Sequence, residues 1–424
     1  MRILPFRLRV FGLVTILSML WAVVPAALHA QPLQPQPWIY HQAMSHLERH
    51  ESMQAIKLLD SLRGLSKVPS ADLYSAYTLA YMQVRNYDSA AHYTDLLKAH
   101  HGTQYLLPAA QLNCYMGHGE EGMRYLHQYL QLKEKLSERR LNNDSLLKPC
   151  KNVVAWDTIW LSEWYTPMQR RIDEYDYRVE KGDWDYLLNL LDALPSDQRK
   201  RPQFAYYRAL ALRGKGQYAE ALPLAEDAAN HFPRRVECAV LTAELLCQVG
   251  KCSQAIKRVN SYQKGDPYEP APLPILAQAY LGNTNYKQAY ATARRYLSLY
   301  PKDLRCLKVA AEGAAKAKMW SKSLDAIADL LQRSESDTVT DMLTLRGSML
   351  MELQDPQQAI VDLERALVRR PDDTTLLVLA ARAYEKMSKR PEMCDCLLRA
   401  HKAGHPKAWI RLVEQCPNLR VAGQ

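Results

Sequence analysis

The sequence predicts an all-α fold, an α-solenoid of stacked antiparallel helix hairpins, and three observations predict it. Between Arg201 and Asp303 one pattern returns every 34 positions: Pro233, Pro267 and Pro301, then Ala209, Ala243 and Ala277, then Ala221, Ala255 and Ala289. A fixed period in that range marks a solenoid built from one repeated supersecondary unit. Within each unit the two alanines stand twelve positions apart, which places them on separate helices. Between them falls a short polar turn with glycine: Arg213-Gly214-Lys215-Gly216, Val249-Gly250-Lys251 and Leu281-Gly282-Asn283.

Each feature has a physical role. Glycine in the turn supplies the left-handed conformation that ends a helix. Alanine at the contact points lets two helices approach closely, where a larger side chain would hold them apart. Proline after the second helix lacks the amide hydrogen and stops that helix before the next unit. Each hairpin has an apolar face that only a stacked neighbour can bury.

The pattern resembles the tetratricopeptide repeat family, whose units place small, aromatic, alanine and proline residues at fixed offsets. The unit ending at Pro371 matches it with Leu343, Gly347, Leu350, Ala359, Leu363 and Ala366. The resemblance implies a right-handed superhelix with a concave surface lined by the first helix of every repeat, where partner proteins or peptides bind. Carried onto this chain, the groove positions include Tyr206, Arg213, Glu244, Gln278, Lys308, Glu312 and Arg382. One subtype is set aside. The chaperone-tail binders hold a carboxylate with lysine, asparagine and arginine, whereas the matching positions here carry Tyr206 and Leu210, Val240 and Glu244, Pro274 and Gln278.

In chain order, residues 1–30 read as a secretory signal peptide. Arg2, Arg7 and Arg9 form its positive start, Val10 to Val24 is mostly apolar, and cleavage is expected after Ala30, with Ala27 as the alternative. The rival reading is an uncleaved anchor, but the 19-residue run Val10 to Leu28 contains Pro25 and falls short of the roughly 20 residues a spanning helix needs. No cysteine follows the run to accept a lipid, and no later stretch approaches spanning length. Residues 31–136 are an extended leader and three degenerate hairpins: Trp38 to Arg63 with Ala43 and Ala55, Leu73 to His100 with Tyr74, Tyr77 and Tyr81 on one face, and Leu106 to Leu136 with Ala110 and Gly122. The period breaks at 137–170. This Trp-rich insert carries Trp156, Trp160 and Trp164 at four-residue spacing, predicting one helical stripe and the boundary between two lobes. Repeats resume over 171–403, with Ser323 where alanine is expected and a polar loop from Ser334 to Asp337 that delays the next unit by two residues. Residues 404–424 are expected to form a capping helix, a polar lid, and a loose tail.

Composition narrows the function. The three arginines of 1–30 carry +3 of the formal +10, leaving +7 spread along the chain rather than gathered on one segment. That argues against nucleic-acid binding. His46 and His50 are four apart, but no third ligand accompanies them and they lack the zinc-protease order; they read as surface histidines. His100, His101 and His118 fall at helix ends. Nine cysteines are present, so at least one is unpaired within the chain. Cys247 with Cys252 across a turn is the first expected pair, Cys396 with Cys416 another, and Cys238 and Cys306 read as core residues. No Cys-x-x-Cys, phosphate loop, nucleophile elbow or catalytic dyad is found, so no catalytic residue, metal or cofactor is assigned.

The leading expectation is a non-catalytic scaffold in the bacterial cell envelope, exported to the periplasm or beyond. Its partner is a protein or peptide, in an envelope assembly or a secretion complex. The alternative, from another class, is an accessory or catalytic subunit acting on glycan or peptide with Trp156, Trp160 and Trp164 at its site. A purely structural spacer is the third.

Overall fold

A computed structural model describes residues 36–63, 70–333 and 337–416. The expected signal peptide, most of the leader, most of the polar loop after Arg333 and the tail after Cys416 lie outside the described residues. Every regular element among the described residues is helical. Three hairpins come first: α1 (Gln36–Glu48) and α2 (Ser52–Arg63), α3 (Ala71–Gln83) and α4 (Tyr87–His100), α5 (Leu106–Tyr115) and α6 (Gly119–Leu130). The short α7 (Glu138–Asn142) and α8 (Val154–Ile159) follow. Then come α9 (Pro167–Lys181) and α10 (Trp184–Asp192), the one-turn α11 (Ser196–Arg199), and α12 (Pro202–Gly214) with α13 (Tyr218–His231). The rest are α14 (Val236–Gln248) and α15 (Cys252–Gln263), α16 (Leu273–Gly282) and α17 (Tyr286–Leu297), α18 (Leu304–Lys316) and α19 (Trp320–Leu331). α20 (Asp337–Glu352) and α21 (Pro356–Arg369), α22 (Thr374–Lys386) and α23 (Arg390–Lys402), and the single α24 (Ala408–Gln415) complete the described helices. Two compact units divide these: one runs to Arg234 and includes Tyr262–Pro270, the other holds Arg235–Ser261 and everything from Ala271. The segment 137–165, expected to separate two lobes, lies inside the first unit.

The small-residue pairs sit at the helix crossings. Ala43 and Ala55, Ala209 and Ala221, Ala243 and Ala255, and Ala277 and Ala289 are all 0% exposed. Ser323 takes the alanine position without an unmet hydroxyl, because its Oγ donates to the Ala311 carbonyl at 2.8 Å. The stops also fall as the prolines require: α13 ends at His231 before Pro233, and α17 at Leu297 before Pro301.

The turns follow one geometry with one correction. Gly216 and Gly250 are left-handed, with φ of 78° and 77°. In the third turn that conformation falls on Thr284, φ 61°, and Gly282 is instead the last residue of α16. The next amide closes each turn onto the helix end: Lys251 N–H donates to Leu246 O at 2.7 Å and Asn285 N–H to Tyr280 O at 2.9 Å. Gly282 is glycine for another reason. A Cβ there would come within 2.6 Å of Cys252 Sγ, the first residue of the preceding second helix. Gly214 leaves the same space for Trp184, 30 residues earlier. Where the later position carries a long side chain, the pair persists differently: Lys316 lays its ammonium over the Tyr286 ring, 5.6 Å from the centroid.

The insert does not form the predicted stripe. α8 ends at Ile159, so Trp156 alone stands on the helix, Trp160 caps it and Trp164 lies beyond. The Trp164 indole N–H donates to the Ile159 carbonyl at 2.5 Å, occupying the acceptor that a continuing helix would use. Trp156 is buried with Leu126, Leu130, Leu141 and Tyr165, and Trp160 and Trp164 pack against that cluster half-buried.

Cysteine pairing differs from the sequence expectation. Cys114 bonds Cys150, and Cys394, not Cys396, bonds Cys416. Cys247 and Cys252 stay as thiols that hydrogen-bond each other. Gly122 makes the first bridge possible, since a Cβ there would lie 2.6 Å from Cys114 Sγ and 3.0 Å from Cys150 Sγ. Cys394 turns to the terminal helix, while Cys396 faces the α21–α22 side near Tyr384 and Glu364. Cys238 and Cys306 are buried, and burial pushes their thiols up to about 11 and about 12. α24 is joined to α23 by the Cys394–Cys416 bridge but is no polar lid, because Trp409, Ile410 and Val413 are exposed.

Candidate partner-binding face

The seven groove candidates all lie on first helices, and the structure gathers some of them. Tyr206 and Arg213 are on α12 in the first unit; Tyr206 is half-buried, its ring 5.5 Å from that of Tyr207. In the second unit Glu244, Gln278 and Glu312 recur at intervals of 34 on α14, α16 and α18, with Gln278 exposed and the two glutamates half-buried. Arg382 takes the same position on α22 once the two-residue delay is counted, and it is exposed.

Lys308 and Glu312 belong to a charged cluster. One turn apart on α18, they are followed by Lys316 at the same spacing. The Lys308 ammonium stands 3.3 Å from Asp341 Oδ2 on α20, and Arg370 donates to Asp341 Oδ1 at 3.0 Å. Burial raises the Glu312 carboxyl above the usual range, while Lys308 and Lys316 pull it down. Fixed charges of both signs, each partly exposed, suit a polar partner chain: they orient it and select against mismatched charge. Asp341 and Arg370 were not legible as site residues. Asp341 stands 33 residues after Lys308, and the delay before α20 shifts it out of simple register.

Other charged groups serve the frame. Arg346 makes a two-pronged pair with buried Asp362, at 2.6 and 2.7 Å, joining α20 to α21. His46 and His50 do not share a helix face: α1 ends at Glu48, His50 is left-handed, and His46 Nδ1 lies 2.6 Å from Glu51 Oε2. A separate depression of about 600 Å³ opens beside the second helices α21 and α23, lined among others by Glu364, Leu367, Tyr384, Glu392, Cys396 and Arg399. No helix among the described residues is long and apolar enough to cross a membrane.

Repeated antiparallel hairpins with small residues at each crossing define a helical-repeat protein, and its fold is that of the tetratricopeptide-repeat proteins. No protein-family model matches the chain, and no curated protein matches it in sequence. Among solved structures it is similar to the APC/C hetero-tetramer Cut9–Hcn1, with TM-score 0.50 and 14% identity over 89% of this chain and 83% of that one. A tetratricopeptide repeat protein from Parabacteroides merdae is similar over 57% of this chain and 96% of its own, at TM-score 0.41 and 17% identity. YrrB, described as a TPR protein with an unusual peptide-binding site, is similar over 45% of this chain and 97% of its own, at TM-score 0.39 and 14% identity. At these identities the likeness is one of fold.

Proposed function

We propose that the chain is a non-catalytic scaffold of the bacterial cell envelope that holds a protein or peptide partner against the first helices of its repeats. The observation that carries the reading is the half-exposed charged cluster of Lys308, Glu312 and Asp341, built from first helices of successive hairpins. The Lys308–Asp341 pair also ties α18 to α20, and the reading rests on the part of the cluster left facing solvent, charges of both signs on successive first helices. The exported setting is supported by the sequence of residues 1–30 and by two disulfides, which persist in oxidising compartments. Of Trp156, Trp160 and Trp164, on which the enzymatic alternative rests, Trp156 is buried in a hydrophobic cluster and the other two pack half-buried against it.

The test is crosslinked capture from envelope extract with the wild-type chain and with a variant carrying Lys308→Ala, Glu312→Ala and Asp341→Ala, followed by titration of the captured partner against both. A partner whose affinity falls on the order of tenfold or more in the variant supports the reading. A partner that binds both proteins equally moves the site off this face.

A further inference from the structure

The last described helix, α24, carries apolar residues on a buried side and on an exposed side. Ala408 and Leu412 point inward, buried in the core of the second unit. Trp409, Ile410 and Val413 are 40%, 55% and 53% exposed. With 3.6 residues per turn, these three share an arc of roughly 100° turned away from Ala408 and Leu412, with Ile410 farthest from them and Trp409 at the near edge, its ring 5.1 Å from that of His401 on α23. A polar outer face would end the solenoid; an apolar one leaves a surface that gains by being covered.

The helix is a fixed platform. The Cys394–Cys416 bridge holds its end, Arg411 pairs with Glu385 at 2.7 Å, and the Gln415 amide donates to Glu385 at 2.8 Å. Arg390 donates twice to the Gln415 carbonyl, at 2.9 and 2.7 Å.

Charge at the edge of the apolar arc selects the occupant. Lys407 and Glu414 are both exposed, seven residues apart, and so lie on one margin of the arc two turns from each other. When two such helices pack antiparallel, each margin meets the same margin of the other helix reversed end for end. Lys407 then stands opposite Glu414 of the second copy, and the pair forms twice. Parallel packing would instead set this margin against the opposite margin of the other helix, so Lys407 would not meet Glu414. The face is thus complementary to itself under a twofold axis, which is what an isologous contact requires.

We propose that α24 is a self-association surface: two copies of the chain pack this helix antiparallel, covering Trp409, Ile410 and Val413 and pairing Lys407 with Glu414. The occupant is a second copy, and neither the chain's own tail nor a foreign protein is needed.

Sedimentation of the intact chain over a concentration series tests it, with circular dichroism confirming that each variant folds. Wild type is expected to pass from monomer to dimer. Ile410→Glu with Val413→Glu should leave only monomer, since two carboxylates would be buried without partners. Lys407→Glu alone should weaken dimerisation on the order of tenfold, and adding Glu414→Lys should restore it, because the two reversals rebuild the pair. A chain that stays monomeric, a dimer that survives the Ile410 and Val413 substitutions, or a double reversal that fails to rescue would each overturn the proposal. So would a monomer that dimerises only when residues 417–424 are removed, which would make the tail the natural occupant.

Discussion

The insert at 137–165 and the terminal helix α24 both step outside the repeat, and each is fastened by one disulfide to a neighbouring hairpin. Cys150 reaches Cys114 of α5, and Cys416 reaches Cys394 of α23. Their apolar residues end differently. Inside the insert Trp156, Ile159 and Tyr165 are buried, joined to Leu126 and Leu130 of α6. On α24 three large apolar residues remain on the outside. An interruption in mid-chain has hairpins before and after it: α7 also reaches forward, with Arg139 paired to Asp173 and Glu180 of α9. A helix at the end of the described chain has a neighbour on one side only. Burial therefore completes the first and leaves the second half-finished.

The largest expected effect breaks this comparison at its tryptophans. Trp156→Ala should cost about 3 kcal/mol or more, a buried aromatic removed from a packed cluster. Trp409→Ala should cost less, about 1 kcal/mol, because its ring is 40% exposed and otherwise rests beside His401 of α23, while weakening self-association. Denaturant unfolding followed by circular dichroism measures both. Equal losses would mean that α24 is as deeply integrated as the insert.

Next come the bridges. Replacing Cys114 and Cys150 with serine should destabilise the first unit by about 3 kcal/mol, as expected for loss of a crosslink between distant residues. Replacing Cys394 and Cys416 should act locally, since a repeat array unravels from its end and the remaining hairpins keep their own contacts. Hydrogen exchange should then show lost protection confined to α24. Loss spreading through α22 and α23 would show that the cap sustains the second unit rather than covering it.

What could be read in the sequence was whatever depends on local spacing. The alanine pairs twelve apart, the prolines after second helices and Ser323 at a small-residue position each report one hairpin, and a hairpin is a local object. What depends on contact between distant segments was not. The spacing of Trp156, Trp160 and Trp164 fits a helix, but α8 ends at Ile159 with Trp156 packed among Leu126 and Leu130 of α6, a contact the spacing does not carry. Cys396 is two residues nearer Cys416 in sequence than Cys394, and only the direction each takes from α23 selects Cys394. Gly122 did hold a clue to its bridge: a glycine where the repeat favours alanine marks space filled by something else. Among the groove candidates, Lys308 and Glu312 meet in one cluster because they share a helix, while Asp341 was hidden by the two-residue delay.

The smallest expected effect sharpens the comparison through pH. Arg139 joins the insert to α9, and its hydrogen bond holds the Glu180 carboxyl below its usual value of 4.5. A carboxylate depressed in the folded state adds stability that is fully present above the unfolded value and is lost as pH falls through the lower, folded one. Glu180 is more than half exposed, so solvent screening keeps the contribution under about 1 kcal/mol. The effect belongs in local exchange rather than in global unfolding. Amides of α7, Glu138–Asn142, should exchange faster at acid pH than at neutral pH after correction for intrinsic rates. In Glu180→Gln they should already be faster at neutral pH, with a smaller further change on acidification. If the variant keeps the wild-type pH response, Asp173 alone fastens α7, and the insert is held forward by one ion pair instead of two.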